Sequence, residues 1–505
     1  MNLATLWRWR ATLMAVGVGV LAGLLRLATL AHPQALVFDE VFYARGAYSL
    51  TALGFEADWT GDDAAFAAGD VSGLTTDGDF VVHPMVGKLL IAVGIELFGN
   101  HPFGWRVVGA VLGTFVAVLV AVIARRLFRS TAWGAVAGVL IAVDGQAIVL
   151  SRTALLDGFL TFFVVLGFGL LLVDRDATWA RLSARAADER RAAGLDDEAR
   201  LPGMGPRTGI RWWRLAAIVA FALAASTKWS GLYFAAAFLL LSILWDAVDR
   251  RRLGYLRWHV GALARAVPAG LTTIVVTVAI YVGTWANWFL TDGSYGRFWA
   301  QDHPGEGVTW LPDALNSLLH YHRQMWDFHT GLTTEHNYMS NPWAWLIQYR
   351  PTAFFFEDAP DASCGAERCV SAIHALGNPL LWWLATAALA WALWRVVRRR
   401  DVLALTVSLG VLAGWVPWLP YAYRTIFTFY SVAFAPFLVL TLVWALRRIA
   451  QPERLAGGWS RTGVLVAGSV VAAILIVSGF FIPLWTGDPI PFRYWQLHMW
   501  LPSWV

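Results

Sequence analysis

LVFDEVFYARGAYSL, residues 36–50, sets two adjacent acids, Asp39 and Glu40, and then Arg45, directly after an apolar run of membrane-crossing length. An ionisable side chain deep in a bilayer costs about 2.5–3.5 kcal/mol on insertion scales, and less near the interface. Carboxylates placed at the mouth of a span therefore need partners or a task. The remainder of the chain has to supply one or the other.

Of the 505 residues, 58% are hydrophobic and only 14% are charged, and the mean hydropathy is +0.54. A soluble globular protein of this length is excluded. The 30 tryptophans fit the same class, because an indole suits the membrane interface, dry on one edge and wet on the other. The net charge of +5 and pI near 9.3 do not imply nucleic acid, since Lys and Arg lie in short clusters between apolar runs. The first run follows WRWR and has no clear small-residue cleavage site after it, so it reads as a retained signal-anchor helix.

The requirement of about 20 apolar residues per span places helices near 11–30, 106–124, 133–150, 158–173, 213–227, 231–247, 262–286, 376–395, 402–420, 426–446 and 463–485. The expectation is an all-α polytopic membrane protein with about eleven spans. Basic clusters fall on alternate connections, which the positive-inside rule puts in the cytoplasm, with the N-terminus inside and the C-terminus outside. Residues 31–105 and 287–375 are then the long extracytoplasmic loops, and 174–214 is a cytoplasmic loop expected as a helical hairpin or flexible linker. The only two cysteines, Cys364 and Cys369, fall in the second outward loop, where a disulfide is expected. The aromatic tail after residue 492 reads as an interfacial anchor.

On that topology the unusual polar residues gather at the outward ends of the spans: Asp39, Glu40 and Arg45; His83 and Lys88 in HPMVGKLL; Arg152 and Asp157 in SRTALLDGF; Lys228 in STKWSGLY; His336, Asn337, Tyr338 and Trp343 in EHNYMSNPWAW; Arg424 in YAYRTIF. Snorkelling explains any single cation as readily as function does, but explains six segments on one side poorly. Cations in a partly dry site suit a phosphate or pyrophosphate, because charge-assisted hydrogen bonds strengthen there. Sugar transfer from a lipid phosphate to an alcohol fits the mixture: the phosphate leaves as a stable anion, so one base plus a cationic cradle suffices. A metal-binding pair is the alternative for Asp39 and Glu40. His83 reads equally as a cap or packed ring, and Trp343 as a sugar platform, a phosphate cover or a bilayer seat.

FDEVFYARGAY, HPMVGKLL, DGQAIVLSRTALLDGFLTFF, TKWSGLY, HNYMSNPWAWLIQYRP and YRTIFTFYSVAFAPF together resemble the protein O-mannosyltransferases, membrane glycosyltransferases of the GT-C class, over nearly the whole chain. The resemblance implies one GT-C transmembrane domain over residues 1–505. It also implies transfer of mannose, with inversion, from polyprenyl-phosphate-mannose to Ser or Thr hydroxyls of secreted or membrane proteins. Asp39 resembles the catalytic base and Glu40 an orienting acid; Arg45, His83, Lys88, Arg152, Lys228 and Arg424 are the donor-phosphate candidates. Asp157, His336, Asn337, Tyr338 and Trp343 are supporting candidates. The loop at 287–375 is too short for the lectin-like MIR domain of eukaryotic members, which points to the bacterial, actinobacterial branch. A plasma-membrane location with an outward site is implied, with membrane lipid and the secretion machinery as further partners. No cofactor or metal is firmly implied, and a divalent cation stays open. The rivals are a GT-C transferase with a lipid or glycan acceptor, and a transporter or lipid flippase, which should carry mid-span charges and internal repeats.

Overall fold

The computed structural model describes residues 3–360, 363–455 and 458–505. The side chains of residues 3–8, with the first half of WRWR, and of Arg454 lie outside that description. The long first helix α1 (Leu3–Leu27) leads into a folded cap rather than an open loop. That cap comprises α2 (Glu40–Leu53), β1 (Ala57–Trp59), α3 (Asp63–Ala67), β2 (Leu74–Gly78) and α4 (Val86–Phe98). Asp62 caps α3 by accepting from the Ala65 amide at 2.6 Å, and β1 pairs antiparallel with β2.

The bundle continues with α5 (Pro102–Phe128), α6 (Thr131–Ala142), α7 (Gly145–Arg152), α8 (Leu156–Ala192), α9 (Trp212–Ala225), α10 (Gly231–Arg252) and α11 (Trp258–Gly283). Pro102 opens α5 at a position where its missing amide costs nothing. The bend of 59° between α6 and α7 has a local cause in Asp144. Its carboxylate caps α7 through the Ala147 amide at 3.1 Å and also accepts from the Asn378 amide at 3.0 Å and the Trp382 indole at 2.9 Å. A buried acid with three donors fixes the break and ties it to the C-terminal helices.

The second cap holds α12 (Ala286–Leu290), α13 (Trp299–Asp302), α14 (Asp313–Gly331), β3 (Thr352–Ala359) and β4 (Cys369–Ala375). Then come α15 (Pro379–Arg399), α16 (Val402–Trp415), α17 (Ala435–Ala450), α18 (Arg461–Thr486), β5 (Ile490–Pro491) and α19 (Phe492–Leu497). The strand order is β3-β4-β5, antiparallel, and a Cys364–Cys369 disulfide closes the β3–β4 hairpin.

Among the described residues, eight helices are long and apolar enough to cross a membrane, or nine with the bent α6–α7 pair. The remaining two expected spans fall on the shorter helices α9 and α17. α17 is buried nearly all round, as an apolar helix at a bundle centre should be, whereas none of the apolar window of α11 is buried. The expected hairpin or linker at 174–214 needs correction. α8 runs unbroken for 37 residues, to Ala192. Its Ala- and Arg-rich second half has high helix propensity and meets no glycine until Gly194. The chain then returns irregularly to Arg211, which pairs with Asp174 and Asp246.

Candidate active site

Asp39 sits at the N-cap of α2 and makes no capping bond with its side chain. Phe38, just before it, holds a φ of +50°, a left-handed conformation that costs a non-glycine residue about 1–2 kcal/mol. Ring packing holds it there: Phe38 stacks on Phe354 at 4.8 Å and meets Phe427 at 5.6 Å and Phe429 at 5.5 Å edge-on. Glu40 is 0% exposed. It takes two bonds of 2.8 Å from Arg106 and further bonds from the amides of Ala154 at 2.8 Å and Val37 at 3.0 Å. Arg106 also clasps the carbonyls of Leu30, Pro33 and Ala35.

This corrects two readings of Glu40. Its oxygens are saturated from within the fold, so in this conformation it neither orients an acceptor nor forms a metal pair with Asp39. It anchors the turn that presents Asp39. Among the described residues, no group of three or more His, Cys, Asp or Glu is spaced to hold a metal ion.

Around Asp39 the cap and the bundle bring together residues far apart in sequence. Lys228, in the turn between α9 and α10, donates to both oxygens of Asp157 at 2.9 Å and lies 4.2 Å over the Tyr430 ring. Tyr430 is within electrostatic reach of Asp39, Asp157 and Arg424. His83 packs on His329 at 5.0 Å and on Tyr43 at 6.2 Å, and His329 bonds the Val82 carbonyl at 2.6 Å. Burial pushes the Asp39 carboxyl up to about 6, with Lys228 pulling it down and Asp157 pushing it further up. Burial, then the Lys228 charge, holds His83 well below the usual histidine range, and burial takes His329 to about 4. Both rings are therefore neutral near pH 7, and His83 brings hydrogen-bonding capacity rather than charge.

Arg424 differs from the other cations. It is 7% exposed, its Nε makes no hydrogen bond, and it has no ion-pair partner among the described residues. A buried guanidinium without a carboxylate is costly unless something anionic arrives.

Three expected phosphate ligands are spent elsewhere. Lys88 is 1% exposed, ion-paired with Glu56, and donates to the His83 carbonyl at 3.0 Å, so it braces the His83 segment. Arg152 closes the C-terminal end of α1, donating to the carbonyls of Leu25, Arg26, Ala28 and Thr29. Arg45, six residues after Asp39 and so about 240° round the helix, pairs with Asp63 at 3.0 Å and lies over Trp59 and Phe66. His336 is brought in, edge-on to Phe38 at 6.1 Å and to Phe427 at 5.1 Å. The Asn337 carbonyl and the Tyr338 ring instead meet Arg350, and Trp343 is 65% exposed against Trp415. Sequence reasoning misses Arg106, His329 and Glu56. The one available signal is Arg106, a lone charge in the first turn of an otherwise apolar span.

The fold is that of the GT-C membrane glycosyltransferases. The fold is similar to the Saccharomyces cerevisiae protein O-mannosyltransferase Pmt1–Pmt2 complex bound to the sugar donor, with a TM-score of 0.70 at 14% identity over 98% of this chain and 92% of that one. The archaeal oligosaccharyltransferase AglB from Archaeoglobus fulgidus matches with a TM-score of 0.51 at 11% identity, over 98% and 58%. Residues 76–183 match the dolichyl-phosphate-mannose-protein mannosyltransferase family, and residues 314–504 the C-terminal four-transmembrane region of protein O-mannosyltransferase. Polyprenol-phosphate-mannose–protein mannosyltransferase of Mycobacterium tuberculosis is 38% identical over 98% of this chain and 92% of its own length. The Corynebacterium glutamicum protein of that name is 33% identical over 84% and 81%. The chain belongs to this protein mannosyltransferase family, in its actinobacterial branch, and is a glycosyltransferase.

Proposed function

We propose that mannose passes, at the Asp39 cluster, from polyprenyl-phosphate-mannose to a Ser or Thr hydroxyl of a secreted or membrane protein, on the extracytoplasmic face of the plasma membrane. The observation that carries this reading is that a carboxylate and a guanidinium, Asp39 and Arg424, are both left without a side-chain partner among the described residues while both lie within electrostatic reach of Tyr430.

The chemistry follows from that pairing. Asp39 takes the proton as the acceptor oxygen bonds to the anomeric carbon. The bond from that carbon to the phosphate oxygen breaks, its electron pair stays on the phosphate, and the configuration inverts. The leaving phosphate gains one negative charge while Asp39 loses one, so the site's total charge is unchanged during transfer. Arg424 meets the donor phosphate, and His83 adds a neutral hydrogen-bonding group. Lys228, already neutralised by Asp157, steadies the Asp39 charge from behind. The names of the relatives support donor and acceptor class.

The test is to incubate the purified full chain in detergent with radiolabelled polyprenyl-phosphate-mannose and a Ser/Thr-rich peptide. Label moving to the peptide is the expected result; label moving to lipid or glycan instead, or to nothing, overturns the acceptor assignment. For sidedness, a cysteine introduced at His336 should react with a membrane-impermeant reagent added to intact cells, and one at Trp212 should not. The reverse pattern overturns the assigned face.

A further inference from the structure

At the end of the bundle remote from Asp39, α9 and α11 leave a groove of about 600 Å³ between them. The 14 residues of α9 separate Arg211 at its start from Lys228 beyond its end by ~21 Å of helical rise. The groove therefore belongs to a different membrane level from the transfer site. Its inner wall is apolar, formed by Ile218 of α9 and Pro268 and Ala269 of α11, while its mouth carries Arg207, Arg211, Arg214 and Arg265.

These four cations are not equivalent. Arg211 is consumed by Asp174 and Asp246, at 2.5 Å for the latter. Arg265 gives its terminal nitrogens to the carbonyls of Gly261 at 2.8 Å and Gly205 at 3.0 Å, leaving a buried Nε without a bond. Arg214 is 6% exposed, lines the groove, has no ion-pair partner among the described residues, and its Nε is also unsatisfied. With both nearby carboxylates, Asp174 and Asp246, held by Arg211, the mouth keeps a net positive charge.

Depth is indicated by the neighbouring side chains. Ile210, Trp212 and Trp213 are exposed beside the mouth, as residues at a membrane–water boundary are. α11, whose apolar window is entirely unburied, leaves the groove on the outer face of the bundle, where an apolar helix surface is suited to lipid. Charge at the interface above an apolar slot that descends toward hydrocarbon is complementary to an amphiphile and not to a soluble anion.

We propose that this groove binds one glycerophospholipid with an anionic phosphate head group, its phosphate on Arg214 and Arg265 and an acyl chain along α9 and α11. The site is independent of mannose transfer. The delipidated full chain in dodecyl maltoside is titrated with phosphatidylglycerol, phosphatidylcholine or inorganic phosphate, and bound lipid is read by native mass spectrometry. Phosphatidylglycerol should saturate at one per chain and bind at least about tenfold tighter than phosphatidylcholine, the value of one charge-assisted hydrogen bond. Inorganic phosphate should not displace it. Arg214→Gln and, separately, Ala269→Trp, which fills the slot without changing charge, should each weaken it by about tenfold. Thermal unfolding in phosphatidylcholine should be unchanged for Ala269→Trp. Equal binding of the two lipids, displacement by inorganic phosphate, or wild-type binding by both variants would overturn the proposal.

Discussion

Glu40 accepts four hydrogen bonds and is sealed from solvent, while the Asp39 side chain, one residue earlier, makes no capping bond and no ion pair among the described residues, although Lys228 and Asp157 lie within electrostatic reach. The same contrast separates their cationic counterparts. Arg106 donates to a carboxylate and three carbonyls, whereas Arg424 has no ion-pair partner among the described residues and keeps an unbonded Nε. A buried charge with every site satisfied is structural, because any substrate would have to displace bonds already made. A buried charge left open keeps its capacity for an incoming group. The saturated network holds the turn that presents Asp39, so a closed carboxylate and an open one are adjacent in one turn of chain.

The contrast breaks most visibly at Asp39. Asp39→Asn should lower the turnover rate about 10²–10⁴-fold, the usual contribution of a positioned base, with the thermal midpoint unchanged. Loss of fold with loss of activity would erase the distinction from Glu40. Arg106→Gln should do the reverse. Leaving Glu40 buried and unpaired costs about 3–5 kcal/mol of stability, read as a lower unfolding midpoint, while the folded fraction keeps its donor KM.

Smaller effects sharpen the assignment of the cations. Arg424→Gln should raise the donor KM about tenfold, as expected for one lost charge-assisted contact, and Lys88→Gln should leave KM unmoved while lowering the midpoint. Equal KM effects from both would mean that the Glu56 pair opens in the complex. The pH profile should show the mildest change. A base must be deprotonated to act, so kcat/KM should climb as pH rises through about 6, where Asp39 loses its proton, and fall below it. A limb that persists in Asp39→Asn would belong to another group.

Much of this is legible in the order of residues. Each of the eleven apolar stretches overlaps a helix or the bent pair, because hydrocarbon thickness imposes a length that composition records directly. Asp39 is legible too, as an acid at the end of a span. The cations are not separable by that route. Lys88, Arg152 and Arg424 have similar sequence surroundings, each a lone charge beside an apolar run, and all three are buried. Only their partners differ, Glu56 for Lys88 and the carbonyls of residues 25–29 for Arg152, and those lie at separations that no local pattern encodes. The extension of α8 to Ala192 is hidden for another reason: its mixed charges read as linker composition although the helix propensity is continuous.

The amino-acid order alone determined a polytopic membrane protein and its family, and it singled out the acidic motif at residues 39–40 as the candidate for its chemistry, because hydrophobic length and local motifs are one-dimensional properties. Tertiary structure alone decided which charges are spent and which stay open. A buried ion is neutralised by whatever reaches it through space, so its availability depends on contacts between segments that only folding creates.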